Sequence, residues 1–137
     1  MAHTYGMSVR EYFIEKKHKY AEVKVIDGIK YAGNIFGIII RAGEEVNIRK
    51  TISKGPYTPT DPDQTSLRVF CTEEIDPKYT TDIDCKHVGT LRVVHANNRS
   101  KKNNRLEVSF IFGDTELLVK AVNIRTNEEF YSYMDCL

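Results

Sequence analysis

The sequence lacks the features that mark several large classes of protein. Its three cysteines are an odd number without a C-x-x-C pair, which argues against a disulfide framework and favours free thiols in a reducing compartment. The N-terminus has no apolar segment of the export-signal kind, and no apolar run approaches the length of a membrane span. We therefore expect a soluble, cytoplasmic protein with no membrane partner.

A large excess of charge of either sign is also missing. The 20 Lys and Arg residues nearly balance the 19 Asp and Glu residues, so the formal net charge is +1. This balance predicts no nucleic-acid partner, because proteins that bind nucleic acids usually present a strongly basic surface. The basic stretch with Arg99, Lys101, Lys102 and Arg105 has no interleaved aromatic residues and is typical of a solvated loop between two strands.

Sequence signatures of catalysis are absent as well. No G-x-S-x-G, H-E-x-x-H or Gly-rich phosphate loop occurs in the sequence. Cys85 and His87 are two soft metal ligands, but no second pair lies at the spacing that a zinc site needs. We therefore expect no enzymatic activity in this chain, and neither a metal nor a cofactor.

The stretch TDPDQTSLRVF (60–70) raises the question of a cation site, because Asp61 and Asp63 are spaced like the first ligands of a calcium loop. Counting from Asp61, however, Ser66 and Thr72 stand where that loop needs glycine and glutamate. Asp-Pro favours turn initiation, and Asp side chains cap their own backbone in turns. We interpret the stretch as a turn that leads into a β-strand.

What the sequence does contain is a pattern of short strands, most regular in its second half. Its 137 residues suffice for a single domain with one core. Alternating apolar residues or β-branched runs, separated by polar turns, predict antiparallel strands. These runs are SLRVFCT (66–72), TLRVV (90–94), RLEVSFIF (105–112), ELLVKAVNI (116–124) and EFYSYM (129–134).

The N-terminal third is less regular. VKVIDGIKYA (23–32) predicts a hairpin, because Asp27-Gly28 suits a type I′ turn. Ser8 to Glu11 have the letters of a helix capping box, so residues 8–20 could be helical, although Tyr5 to Val9 could equally be a strand. We predict an all-β fold: an antiparallel β-sandwich of about eight strands, with a short helix in the N-terminal third as the open alternative.

Residues 37–134 together resemble the β-sandwich substrate-binding domain of the seventy-kilodalton heat-shock chaperone family. The matching segments, in order, are IIIRAGEEVNIRKT, YTPTDPDQTSLRVFCTEE, KHVGTLRV and NRLEVSFIFGDTELLVKAVNIRTNEE. TYGM at 4–7 resembles the start of that domain's first strand. The insertion before IIIRAGEE and the FGDTEL turn are most similar to the divergent twelfth-member branch of the family.

The resemblance implies a single peptide-binding domain over residues 1–137, excised from a longer chain with a preceding ATPase domain that would bind the ATP. In the family, this domain holds unfolded or extended polypeptide segments in a cleft at one end of the sandwich. We expect no helical lid after the last strand. The cleft residues carried over by position are Met7, Val9, Arg10, Tyr57, Thr60, Leu67, Val69 and Leu106.

Arg10 and Thr60 fall where the family builds an arch over the bound peptide. Arg10 is charged where the family usually has an apolar arch residue. A charged arch residue does not fit the binding of very apolar peptide segments. The alternative hypothesis is therefore a protein–protein or ligand recognition module that keeps the sandwich and has lost general peptide capture.

Overall fold

Nine antiparallel strands make up nearly all the regular structure of the computed structural model, which describes residues 2–47, 49–59, 61, 63–95 and 104–136. They are β1 (Thr4–Tyr12), β2 (Glu22–Ile26), β3 (Ile29–Ile40), β4 (Thr51–Tyr57), β5 (Gln64–Thr72), β6 (Lys86–Val94), β7 (Leu106–Phe112), β8 (Glu116–Asn123) and β9 (Glu129–Asp135). One sheet has the order β2-β3-β1-β5-β6 and the other the order β4-β7-β8-β9. The prediction of an all-β antiparallel sandwich is confirmed.

Two compact units divide the chain. The first comprises Met1–Glu44 and Val69–His87, and the second Glu45–Arg68 and Val88–Leu137. Strands β5 and β6 therefore each contribute residues to both units. That the whole chain is a single domain stays a prediction.

In the first unit, β1 is the central strand. It pairs with β3 along most of its length, and its residues Thr4 to Met7 pair with the end of β5. The β2–β3 hairpin turns at Asp27 and Gly28, whose φ angles of 52° and 78° fit the type I′ turn predicted from the sequence.

The alternative that was open for residues 8–20 is resolved against a helix: β1 continues through Tyr12, and residues 13–20 form turns and irregular structure. Ser8 to Glu11 lie within β1, because pairing with β3 outweighs the local helix signal. The connection from β1 to β2 closes around His18, which is 3% exposed. Its Nδ1 accepts the N–H of Ile14 at 2.9 Å, and its Nε2 lies 2.8 Å from the Glu11 carboxylate. No α-helix occurs among the residues that the model describes.

The connection from β5 to β6 also belongs to the first unit. It is attached to β3 by main-chain hydrogen bonds: Phe36 N–H donates to the Lys78 carbonyl at 2.9 Å, and Thr80 N–H donates to the Asn34 carbonyl at 2.8 Å. The Arg41 side chain reaches the same connection and lies 3.0 Å from the Asp76 carboxylate.

In the second unit, β7 and β8 supply the centre of the four-stranded sheet. The alternation predicted for β7 is confirmed, because its four alternate apolar residues are at most 2% exposed while Glu107 on the other face is exposed. These buried residues are Leu106, Val108, Phe110 and Phe112. The turns predicted at 113–115 and 125–128 connect β7 to β8 and β8 to β9.

Strand β4 was missed by the sequence analysis, because its Gly55-Pro56 step is typical of a turn rather than a strand. It pairs with β7, and the register shifts between Lys54 and Tyr57 to accommodate that step. Gly55 has a φ of 111°, and a Cβ there would approach the Leu106 carbonyl oxygen to 2.9 Å.

No helix long and apolar enough to cross a bilayer occurs within the described ranges.

Candidate functional site

The first unit contains four of the eight residues that the family resemblance assigns to a cleft. Met7 and Val69 are direct partners in the pairing of β1 with β5. Both are core residues, 2% and 0% exposed. Val9 and Arg10 follow Met7 along β1 and are half-buried. A ligand lying along β1 would therefore contact the side chains of Val9 and Arg10, because those of Met7 and Val69 are buried.

The second unit contains three more of these residues. Tyr57, the last residue of β4, is the direct partner of Leu106 at the start of β7. Leu106 is fully buried, and Leu67 is 5% exposed. Tyr57 is half-buried, and this burial raises the pKa of its phenol above the ordinary value. Thr60 lies outside the described residues.

The structure thus brings these residues together as two pairs, Met7 with Val69 and Tyr57 with Leu106. Their assignment to one cleft stays a prediction. Four members of the set are core residues, and burying such side chains stabilises the fold by about 1.5–3 kcal/mol each; they are Met7, Leu67, Val69 and Leu106. Val9, Arg10 and Tyr57 remain as the members with surface that a ligand can contact.

Arg10 lies in an aromatic environment that the sequence analysis missed. Its guanidinium carbon is 4.9 Å from the centroid of the Tyr31 ring, a cation–π contact. Tyr31 in turn stacks on Tyr12, with a centroid distance of 5.4 Å and an interplanar angle of 22°. Tyr12 in β1 and Tyr31 in β3 are cross-strand partners. Their proximity depends on the register in which these two strands pair, and the sequence alone does not reveal it.

Two adjoining grooves beside the β5–β6 connection were also not predicted. They have volumes of about 360 and 600 Å³ and share the lining residues Thr72, Glu74, Ile83 and Asp84. Ile83 is almost completely exposed. The sequence signal for these grooves is the acidic segment EEIDPKYTTDID (73–84), which forms most of their lining.

The turn interpretation of the Asp-Pro-Asp stretch is supported by a hydrogen bond. The Asp61 carboxylate accepts the backbone N–H of Asp63 at 2.8 Å, as expected for an Asp side chain that caps its own turn. No cluster of three or more His, Cys, Asp or Glu side chains suited to a metal ion occurs among the residues described. Of the basic stretch, Arg105 is exposed, and Arg99, Lys101 and Lys102 lie outside the described residues.

Fold and site together define an antiparallel β-sandwich module with a stacked arginine–tyrosine surface and two shallow grooves. No family model matches the chain. Over 139 residues, 98% of its length, it is 30% identical to heat shock 70 kDa protein 12A of Mus musculus and 28% identical to the same protein of Homo sapiens. It is 25% identical to heat shock 70 kDa protein 12B of Homo sapiens over 144 residues.

These matches confirm the resemblance to the twelfth-member branch of the seventy-kilodalton heat-shock family, because they extend along nearly the whole chain. The matched region is 20% of each 12A relative and 21% of the 12B relative. The chain therefore spans about a fifth of the length of the relatives it matches.

Proposed function

We propose that this chain is a chaperone-type substrate-binding domain that holds extended polypeptide segments. The observation that carries the proposal is the similarity of 98% of the chain to two heat shock 70 kDa proteins. The half-buried side chains of Val9, Arg10 and Tyr57 support it, because they offer a ligand both apolar and polar contacts.

The expected strength of binding follows from the few contacts available. One buried aliphatic ligand side chain contributes about 1.5–3 kcal/mol, and each hydrogen bond to the peptide backbone adds about 0.5–1.5 kcal/mol net. Ordering the peptide offsets part of this gain. We expect affinities of roughly micromolar dissociation constant, weak enough for reversible release.

The resemblance also supports a preceding ATPase domain in the full-length protein, with ATP bound there and none bound here. It supports no catalytic role for these residues. Three free cysteines support a reducing, cytoplasmic setting.

A second candidate function is a recognition module that has lost general peptide capture. Deep burial favours it, because Leu67, Val69 and Leu106 are at most 5% exposed and leave little apolar surface for a ligand side chain. Such a module would bind a particular partner through its exposed polar and aromatic residues and would not bind Leu-rich segments.

Fluorescence polarisation with labelled Leu-rich and acidic peptides distinguishes the two functions. Under the first function, Leu-rich peptides bind, and Tyr57→Ala lowers their affinity about tenfold, as loss of an aromatic contact residue often does. Tyr131→Ala, which removes an exposed strand tyrosine of the same unit, is the matched control. Absence of Leu-rich binding to the folded protein would reject the first function.

Leu67 is less suited to this test. It is 5% exposed, so a carboxylate in its place would destabilise the core rather than report on binding. Leu67→Val keeps the site apolar, and circular dichroism can verify that the variant is folded before its binding is measured.

A further inference from the structure

The first unit presents a row of three side chains across the adjacent strands β2, β3 and β1. Lys24 in β2 is the partner of Tyr31 in β3, and Tyr31 is the partner of Tyr12 in β1. Because direct partners project from the same face of a sheet, these three side chains lie on one face. Arg10 contacts Tyr31 there through its guanidinium group. We call these three side chains and that of Arg10 together the Lys24 row. This surface offers two cations and two stacked rings, and Tyr12 is 68% exposed.

Strand β2 is the terminal strand of its sheet, and within the described ranges it pairs with β3 alone. The direction of its backbone groups follows from the two-residue turn at Asp27 and Gly28. In such a hairpin the residues that flank the turn exchange hydrogen bonds, and hydrogen-bonded and non-bonded pairs then alternate along the ladder. Val25 and Val23 consequently occupy non-bonded pairs, and their N–H and C=O groups point away from β3.

The side chains of this free edge alternate in character. Val23 and Val25 lie on the face opposite the Lys24 row and are 44% and 63% exposed. Lys24, between them, is the central charge of the strand. The neighbouring Glu22 carboxylate is already engaged, since it accepts a hydrogen bond from the Asn34 amide at 3.0 Å. The edge therefore reads apolar, basic, apolar.

A strand that complements this edge would read apolar, acidic, apolar. Opposite charges placed directly across two strands attract each other, whereas like charges repel. A lysine in an edge strand also discourages unwanted pairing, but that role does not require the stacked tyrosines and Arg10 on the same face. An acidic side chain opposite Lys24 would approach that basic and aromatic surface.

We propose that β2 is a strand-addition site for an extended polypeptide segment of alternating apolar and acidic residues, with an acidic residue opposite Lys24. Backbone hydrogen bonds to Val23 and Val25 would hold the segment, and Lys24 would select it. The site uses none of the apolar residues of the proposed cleft, and it stands whether or not that cleft binds peptide.

The test uses fluorescence polarisation with the whole chain and two short labelled peptides. The first is Thr-Val-Thr-Val-Glu-Val-Thr-Val-Thr, and its twin carries lysine in place of glutamate. The glutamate peptide should bind about five- to tenfold tighter than its twin, as expected when a cross-strand attraction becomes a repulsion. Lys24→Glu should reverse this preference, whereas Lys30→Glu, with the same charge change on the opposite face of the hairpin, should preserve it.

A second variant tests the hydrogen bonding of the edge. Val25→Pro removes an N–H that points outward, while the β2–β3 ladder keeps its hydrogen bonds. The variant should therefore lower the affinity for the glutamate peptide at least about tenfold. Circular dichroism checks that the fold is retained. Equal binding of both peptides to the wild type and to Lys24→Glu would overturn the proposal.

Two further outcomes separate this site from other occupants. If Tyr57→Ala weakens the glutamate peptide while Val25→Pro does not, the peptide binds the proposed cleft, so the edge proposal fails and the proposed function stands. If sedimentation shows a dimer that Val25→Pro dissociates and neither peptide binds, the edge pairs with a second copy of the chain, which also overturns the proposal.

Discussion

At His95, burial and hydrogen bonding act on the same imidazole ring. Its Nε2 lies 2.7 Å from Thr65 Oγ1, and its backbone N–H donates to the Asp63 carbonyl at 2.8 Å. Burial lowers the pKa of the ring below its ordinary value, and the carboxylates of Asp61 and Glu128 oppose this shift. The folded state therefore favours the neutral imidazole.

We predict that acidification destabilises the protein partly through His95. The unfolded chain binds the proton near the ordinary pKa of 6.5 and the folded chain only at lower pH. The contribution of His95 to the free energy of unfolding is therefore complete above that value and decreases as the pH falls toward the folded pKa. Urea unfolding at about pH 7.5 and 5.5 should show a smaller decrease for His95→Gln than for the wild type. His87→Gln, which removes an exposed imidazole, is the matched control variant.

Two strand glycines allow a matched test of close packing. At Gly6 in β1, a Cβ would overlap the Phe36 ring and the Gly37 carbonyl oxygen. We expect Gly6→Ala to lower the free energy of unfolding by about 1–3 kcal/mol, the usual cost of overpacking. At Gly33 in β3 the nearest atoms are 3.6 Å from the added carbon, so Gly33→Ala should change stability by less than about 1 kcal/mol. Equal destabilisation in urea titrations would contradict the packing argument.

At the scale of elements, the connection between β1 and β2 depends on one buried side chain. His18 satisfies the backbone N–H of Ile14 and bonds the Glu11 carboxylate. The hydrogen bond from His18 is the largest cause of the lowered pKa of Glu11, and Lys17, 3.3 Å from the same carboxylate oxygen, also lowers it. The buried His18 ring therefore stabilises the turns of this connection through two hydrogen bonds. The helix that the sequence left as an alternative here does not form.

We predict that His18→Ala destabilises the protein by about 1–3 kcal/mol, because it removes the acceptor of the Ile14 N–H and one of the two partners of the Glu11 carboxylate. Lys17→Ala removes only an exposed ion pair with Glu11 and should cost less than about 1 kcal/mol. Urea unfolding of the two variants compares these costs. Similar values for both would show that the His18 hydrogen bonds do not hold this connection.

How far the elements were predictable depended on whether their signal is local. The alternation in β7 and the Asp27-Gly28 turn depend on neighbouring residues, so both were predicted correctly. Strand β4 was missed because its Gly55-Pro56 step resembles a turn, and only pairing with β7 makes it a strand. The stacking of Tyr12 on Tyr31 was equally inaccessible, since it arises from a cross-strand register rather than from spacing in the sequence.

For the whole molecule, none of the three cysteines forms a disulfide, so we expect reductants to leave its thermal stability unchanged. Cys71 is buried, and Cys85 and Cys136 are half-buried, all with free thiols. Burial, aided by the Asp82 carboxylate, raises the pKa of the Cys85 thiol, which lowers its reactivity as a thiolate.

We therefore expect the melting temperature to be the same with and without dithiothreitol. A thiol reagent such as Ellman's should react slowly with the native protein and with three thiols once it is unfolded. A drop in melting temperature on reduction would instead indicate a disulfide that forms in solution.

The chain passes between its two compact units three times: after Glu44, within β5 after Arg68, and within β6 after His87. Neither unit is a continuous stretch of sequence. During synthesis, the first unit has all its residues only when His87 has emerged from the ribosome, and by then the second unit has only Glu45–Arg68. Most of the second unit is therefore translated onto a nascent chain whose first unit is already complete in sequence.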